Sequence, residues 1–545
     1  MIGHRGFGVA RSGDTDGGRP AAVLRRRDTT VAARRTTALA GTLVTLVVGT
    51  SALLAPPASA HGRGHHLDPD RFAQQVTARG VWRHLEELQR IADRHDGNRA
   101  ALTEGYEASA RYVERTLKKA GYRTTRDPFT FGLEVVDAAS LTLSTGESYA
   151  VDQMQYAPNS PAGGVSAPAA VPVDPTGCTP DAWGDVETAG TIAVVSRGAC
   201  TFAQKAVTAE AAGAVGLVVY NNVEEMLFGT LGEEDLVSFP VAGMGMADGL
   251  AVVEAVTDGG ATLTLDTRFH EEERTSFNVI AETKAGRDDN VVMLGAHLDG
   301  VEEGPGINDN GSGSAVLLEV AVQLAKHKKH NNTVRFAWWG AEELGLIGST
   351  EYVNELATKP GELDRIATYL NFDMVGSPNY IIGVYDADES TYEAPVDVPA
   401  GSAQTEAVLT GYFDGIGQPW ADTEFSGRSD YQAFILNGIA ASGLFTGADD
   451  IKTDEEVALF GGTPGIRHDP NYHTAGDDLS NVSRKAIGIM APAVAYATAS
   501  LAHDTSAING VSGPGKPGHH HGPGKPGKRH GHAPGGEHRQ LERAS

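Results

Sequence analysis

The sequence predicts an α/β protein: a mixed sheet with helices on both faces, interrupted by an inserted, β-rich α/β module. Three observations predict it. Helix-period apolar spacing opens the chain after position 67, many short Val- and Ala-rich runs broken by Gly and Pro follow to about Phe269, and from Ser276 the rhythm becomes strand, loop, helix. Alternation of the last kind argues for a sheet whose ligand sites lie beyond the carboxyl ends of its strands. Composition agrees: 545 residues leave room for about three domains, and 41% hydrophobic with 21% charged residues is ordinary globular usage. A mainly disordered, collagenous or multi-spanning membrane protein is excluded. With 44 Lys and Arg against 70 Asp and Glu, a net charge of −26, nucleic acid is not an expected partner.

In chain order, Arg25 to Arg27, Arg34 and Arg35 precede an acid-free apolar stretch, Ala38 to Ala55, which ends at Pro56 and Pro57. Ala58-Ser59-Ala60 then supplies the small residues of a cleavage site. Residues 1–60 read as a signal peptide removed near Ala60, so a secreted protein without stable membrane insertion is expected, against the competing reading of a membrane anchor. Two amphipathic helices follow: Trp82, Leu85, Leu88, Ile91 and Ala92 recur at spacings of three and four, and Tyr106, Tyr112, Val113 and Leu117 roughly do the same. A strand-like run covers Gly121 to Phe131. Residues 61–136 therefore read as the first part of the main domain, 137–270 as the inserted module and 271–506 as the remainder. Strands are expected at Asn278–Glu282, Asn290–Leu294 and Thr333–Trp339, and a helix at Ser314–Lys326. Residues 507–545 repeat GPGKPG and carry His519, His520, His521, His530, His532 and His538, reading as a flexible tail.

Within the module, a strand at Thr191–Ser196, a helix around Phe202–Ala212 and a strand at Gly216–Tyr220 make a strand-helix-strand unit. An exported chain meets an oxidising compartment, so its only cysteines, Cys178 and Cys200, are expected to pair; two buried thiols are the other reading. The stretch TIAVVSRGACTFAQKAVTAEAAGAVGLVVYNN resembles the protease-associated (PA) domain, a module inserted in exported peptidases. That resemblance implies Cys178–Cys200 as its internal bridge.

Acids and histidines recur at strand ends in the last region. VVMLGAHLDG carries His297 and Asp299, GPGINDNGSG carries Asp309, FAWWGAEELG carries Glu342 and Glu343, YLNFDMVGSP carries Asp373, and NYHTAGDD carries Tyr472 and His473. A lone His after a strand is usually structural and an acidic pair is usually solvated. Repetition beside dry apolar strands changes that balance, because an ionised carboxylate there is costly unless a cation compensates it. Divalent metal is the natural compensation.

GAHLDG, GPGINDNGSGSA, WWGAEELGLIGS, NFDMVGS, GRSDY and YHTAGDD, in this order, closely resemble the M28 family of zinc aminopeptidases, directly over about Ser276 to His503. The resemblance implies two zinc ions per chain, with His297 and Asp373 on one, Glu343 and His473 on the other, and Asp309 bridging both. It implies Asp299 as the acceptor that orients the His297 imidazole, Glu342 as general base and Tyr472 as a donor to the developing oxyanion. It also implies a cis peptide after Asp309. Arg428 resembles a position that orients the substrate terminus or backbone, the alternative being an ion pair with Asp430. Phe445, in GLFTGA, and the segment ending at Phe425 resemble the wall of a pocket for large apolar side chains.

These residue types suit hydrolysis. Two zinc ions sharing one water lower its pKa toward ~7 and polarise the scissile carbonyl, while imidazole and carboxylate ligands leave coordination positions open. The expected substrates are peptides with a free N-terminus, the carboxylates of Glu342 and Asp373 attracting the ammonium, and the expected state is a monomer. A carboxypeptidase or glutaminyl cyclase of the same family would keep much of this site. The former usually adds a helical dimerisation domain and basic carboxylate-binding residues, neither evident here. A non-catalytic receptor would lose metal ligands, and all five are present.

Overall fold

The computed structural model describes residues 67–513. The expected leader at 1–60, its cleavage point near Ala60, and the repeats and histidines of the tail from 514 onward lie outside the described residues. The described chain forms two compact units, one of residues 67–129 with 275–513 and one of residues 130–274.

The first unit is built on a mixed sheet in the order Ala421–Thr423, Gly383–Tyr385, Ala441–Phe445, Ile366–Phe372, Arg287–His297, Asn332–Trp339 and the final residues of Thr262–Glu282. Its centre is parallel: Arg287–His297 pairs in parallel with both neighbours, and Ile366–Phe372 with Ala441–Phe445. Antiparallel pairs flank it, Asn332–Trp339 with Thr262–Glu282 and Ala441–Phe445 with Gly383–Tyr385. The register sets Trp339 opposite His297 and Asn371 opposite Gly295, so three central strands finish at the same edge.

Successive side chains of a strand point to opposite faces. Val292, Leu294, Phe336, Trp338 and Leu370 therefore join one core, completed by the helices Ala78–Ala92, Glu104–Ala120, Gly311–Leu324 and Arg484–His503. Met293, Ala337, Trp339 and Tyr369 join another, with Tyr352 and Val353 of the helix Ile347–Ala357 and Phe434 of Tyr431–Leu436. Burial on both faces explains why these strands read as continuous apolar runs. It also explains Arg484–His503, which is long and apolar enough to cross a membrane yet is mostly buried in the core. Side-chain caps start the early helices: the Thr77 and Thr103 hydroxyls accept from the amides of Gly80 and Tyr106.

In the second unit Val165–Ala170, Ile192–Ser196, Gly216–Tyr220 and Val241–Met244 run in parallel. Asp152–Gln153 and the first part of Thr262–Glu282 pair antiparallel at the two edges. Helices Phe202–Ala211 and Met246–Gly259 complete it. Ala193, Val195, Leu217 and Val219 pack in one cluster, and Ile192, Val194 and Val218 in another, again one on each face. Cys178 and Cys200 form a disulfide with S–S 2.08 Å.

The two longest strands depart from the sequence expectation. The run expected at Gly121–Phe131 continues as Arg123–Leu143, and the strand expected at Asn278–Glu282 begins at Thr262. Much of both is solvated, so only part of each shows the apolar alternation that marks a strand. At the far end a one-turn helix, Ser506–Asn509, follows Arg484–His503, and Thr505 bridges to Val511.

Candidate active site

The parallel strands deliver their acids and histidines to one edge of the sheet. His297 ends its strand, Glu342 and Glu343 follow Asn332–Trp339, and Asp373 follows Ile366–Phe372. Asp309 precedes Gly311–Leu324 through a cis peptide to Asn310, and His473 arrives from the loop before the last long helix. Ala341, Met374 and His473 adopt φ of 57°, 46° and 55°, backbone conformations that non-glycine residues adopt chiefly where the surroundings impose them.

Asp309 stands at the centre. Its Oδ1 is 3.2 Å from His297 Nε2 and its Oδ2 is 3.2 Å from His473 Nε2. His297 Nε2 also lies 3.1 Å from Asp373 Oδ1 and 3.7 Å from Glu342 Oε2, and His473 Nε2 lies 3.0 Å from Glu343 Oε2. Ligand atoms of His297, Asp309 and Glu343, and of His297, Glu342 and Asp373, fall within 4.8 Å of one another. His473 is 39% exposed at its side chain, whereas His297 is 1% exposed. Of these groups, His473 is the most exposed.

The electrostatics are those of a negative pit. Burial, with Asp309 beside it, raises Glu343 to about 7, and burial with Glu343 and Asp373 raises Glu342 well above the carboxylate range. Burial disfavours a charged His473, yet Asp309 and Glu343 outweigh it and lift the imidazole to about 10. Too many acids share too little positive charge. Glu343 Oε1 is buried without a hydrogen-bond partner. Four carboxylates and two imidazoles converging, with a buried carboxylate oxygen left unsatisfied, fit a divalent cation of the zinc type.

The remaining candidates adjoin the cluster. His297 Nδ1 is 3.1 Å from the Asp299 carbonyl oxygen, which as acceptor leaves Nε2 free toward the acids. The Asp299 carboxylate, 3.8 Å from Nδ1, instead accepts the amides of Glu342 and Glu343 at 3.3 Å each. The Tyr472 ring stacks on His473 at 3.8 Å, and its hydroxyl receives Arg428 Nη2 at 3.2 Å. Arg428 pairs with Asp449 at 3.1 Å, not with Asp430, which is 1% exposed. Phe445 stacks with Tyr385, which also contacts Phe425 and Tyr431.

Models of two families match the chain: peptidase family M28 at residues 278–498 and the PA domain at 165–252. The chain is 44% identical over 436 residues to a probable leucine aminopeptidase 2 of Aspergillus fumigatus, covering 78% of this chain and 85% of that protein. The chain belongs to peptidase family M28. An aminopeptidase of Pseudomonas aeruginosa is 41% identical over 80% of this chain and 82% of its own length. Among solved structures, the aminopeptidase of Aneurinibacillus sp. strain AM-1 superposes with a TM-score of 0.59 at 27% identity, over 79% of this chain and 95% of that one. A zinc aminopeptidase from Bacillus subtilis gives 0.59 at 25%, over 79% and 98%. Membership makes the chain a hydrolase of the zinc aminopeptidase class.

Three supports of this M28 site escaped the sequence reading. Ser429 Oγ donates to Asp373 Oδ2 at 2.5 Å and accepts from Asn371, which in turn accepts from the Tyr369 hydroxyl. The Asp477 carboxylate accepts the amides of Asn308 and Asp309, both at 2.9 Å. Arg99, 0% exposed, lies beneath the loops, lowered by burial to about 10 against the pull of Asp477 and Asp299. Ser429 and Asp477 lie inside motifs already singled out, GRSDY and YHTAGDD. Arg99 sits far upstream, with no pattern to mark it.

Proposed function

We propose that this M28 enzyme is a secreted aminopeptidase that removes large apolar N-terminal residues from peptides with two zinc ions and a glutamate base. In this reading residues 1–60 are the removed leader, 61–136 and 271–506 the peptidase domain and 137–270 the PA insertion, and the enzyme acts as a monomer. The observation that carries the proposal is the Asp309 carboxylate, with one oxygen toward His297 and the other toward His473. A carboxylate that reaches two imidazoles, each beside a further acid, fits a bridge between two cation positions: His297 with Asp373, and His473 with Glu343.

What a zinc pair supplies when bound is Lewis acidity, polarising a carbonyl and lowering the pKa of a water toward ~7. The chain's own groups do the rest. The Glu342 carboxylate accepts a proton from the attacking water and returns it to the departing amine nitrogen as the C–N bond breaks. Asp299 fixes the Glu342-Glu343 segment through both amides, so base and ligand keep different directions. Tyr472, oriented by Arg428, directs its hydroxyl to the developing oxyanion, where one preorganised donor contributes ~3 to 4 kcal/mol. The carboxylates of Glu342 and Asp373 attract the substrate ammonium, and Phe445 with Phe425 bounds the side-chain pocket.

Hydrolysis of leucine 4-nitroanilide, compared with its amino-blocked form, tests the proposal. Cleavage of the free form alone is expected. Cleavage of the blocked form, or of neither, defeats it.

A further inference from the structure

We propose that Arg99 is a positioning residue that preforms the two loops carrying His297, Asp299 and Asp309, holding them in liganding geometry before metal arrives. The inference rests on the metal-centre reading above. Arg99 precedes the helix Glu104–Ala120 and is far in sequence from every candidate ligand, yet its guanidinium is fully enclosed at the base of the site.

Its fork is spent on three backbone carbonyls. Nε donates to Pro305 at 2.9 Å, Nη1 donates to Leu298, and Nη2 donates to Gly306. Leu298 directly follows His297, while Pro305 and Gly306 open the loop that ends in Asp309. One planar cation thus ties the strand-end loop to the Asp309 loop. Glycines let the two loops pack closely, and Gly306 lies against the guanidinium. A Cβ on Gly306, whose φ is +61°, would stand 2.7 Å from the Asp309 carbonyl oxygen and 3.2 Å from Arg99 Nη2. A Cβ on Gly300 would stand 3.2 Å from the Gly306 Cα, and one on Gly311 would stand 3.0 Å from the Gly306 carbonyl oxygen. Gly306 thus lies directly against the Arg99 guanidinium, a side chain some two hundred residues upstream.

Charge points the same way. Asp477, Asp299, Asp309 and Glu343 all act on the guanidinium, so a fixed cation offsets part of the acid excess from below. Asp477, by accepting the amides of Asn308 and Asp309, grips the same loop from a different direction. A lysine could keep the charge but not the fork, since an ammonium is a point donor and a guanidinium a planar one. Groups that orient metal ligands typically change affinity by about 10- to 100-fold when removed.

The test measures zinc affinity of the full chain by competition with a chromophoric chelator, for wild type, Arg99→Lys and Arg99→Gln, with circular dichroism as the control for folding. Expected is zinc binding weaker by about 10- to 100-fold in both folded variants, with Lys recovering little. Folded variants binding zinc within about twofold of wild type would overturn the proposal. A second measurement needs no variant: amide hydrogen exchange across residues 298–310 of the wild type, metal-stripped and zinc-loaded. A preformed loop keeps its protection when stripped, and a loop that opens on stripping overturns the proposal even if both variants fail to fold. A wild type that binds no zinc removes the metal-centre reading, and this one with it.

Discussion

At the level of single residues, the site sorts its acids by what each one touches. Glu342 lies 3.7 Å from His297, a place that suits a base, whereas Asp299 spends its carboxylate on the amides of Glu342 and Glu343. Glu342→Gln should therefore lower kcat on leucine 4-nitroanilide by about 100-fold or more while leaving metal content and melting temperature near wild type. Comparable turnover in that variant would remove Glu342 as the base. Tyr472→Phe should lower kcat by about 100-fold with a small change in KM, because an oxyanion donor acts mainly in the transition state; a rise in KM alone would make Tyr472 a binding residue. The ligand types could be read directly, since His and Asp or Glu after an apolar strand leave a visible mark. Their orienting partners could not. The contact on His297 Nδ1 is a backbone carbonyl, which has no sequence signature, and the hydroxyl on Asp373 belongs to Ser429, 56 positions away, inside GRSDY but with nothing in that motif to pair it with Asp373.

At the level of elements, strand ends decide the site and caps and turns decide its surroundings. The central strands were legible because VVMLGA, VRFAWW and YLNF are buried on both faces, and the helices because their apolar residues repeat at helical spacing. The long strands Arg123–Leu143 and Thr262–Glu282 were only partly legible, being solvated over much of their length. A loop after Gly383–Tyr385 shows a different use of acids. Asp386 accepts the amides of Ser390, Thr391 and Tyr392, and Glu406, from the helix Ser402–Ile416, accepts those of Ala387 and Asp388. Burial, with Asp388 nearby, raises Glu406 to about 8. Its folded value exceeds the unfolded one, so the folded state binds the extra proton between the two. Stability from this group is complete below the unfolded pKa of ~4.3 and is lost as pH rises through about 8. Melting temperatures should thus fall from pH 5 to pH 8 less steeply in Glu406→Gln than in wild type. Equal slopes would show that Glu406 does not carry the dependence.

At the level of the whole chain, the two compact units explain how a peptidase domain can accept an insertion. Residues 67–129 and 275–513 form one compact unit, and 130–274 form another with its own disulfide. A bridge closing a loop of 22 residues contributes about 3 kcal/mol in the chain-entropy account. Replacing both Cys178 and Cys200 by Ala should lower the melting of the second unit while zinc content stays unchanged; loss of zinc would tie the bridge to the site. Five side chains spread from position 297 to position 473 are proposed to hold two cations about one bridging carboxylate. Elemental analysis of the purified, dialysed chain tests it most directly. Wild type should hold two tightly bound zinc equivalents and Asp309→Asn fewer than one; a wild type with one equivalent or none, or an Asp309→Asn chain that keeps both, would contradict the bridging role of Asp309.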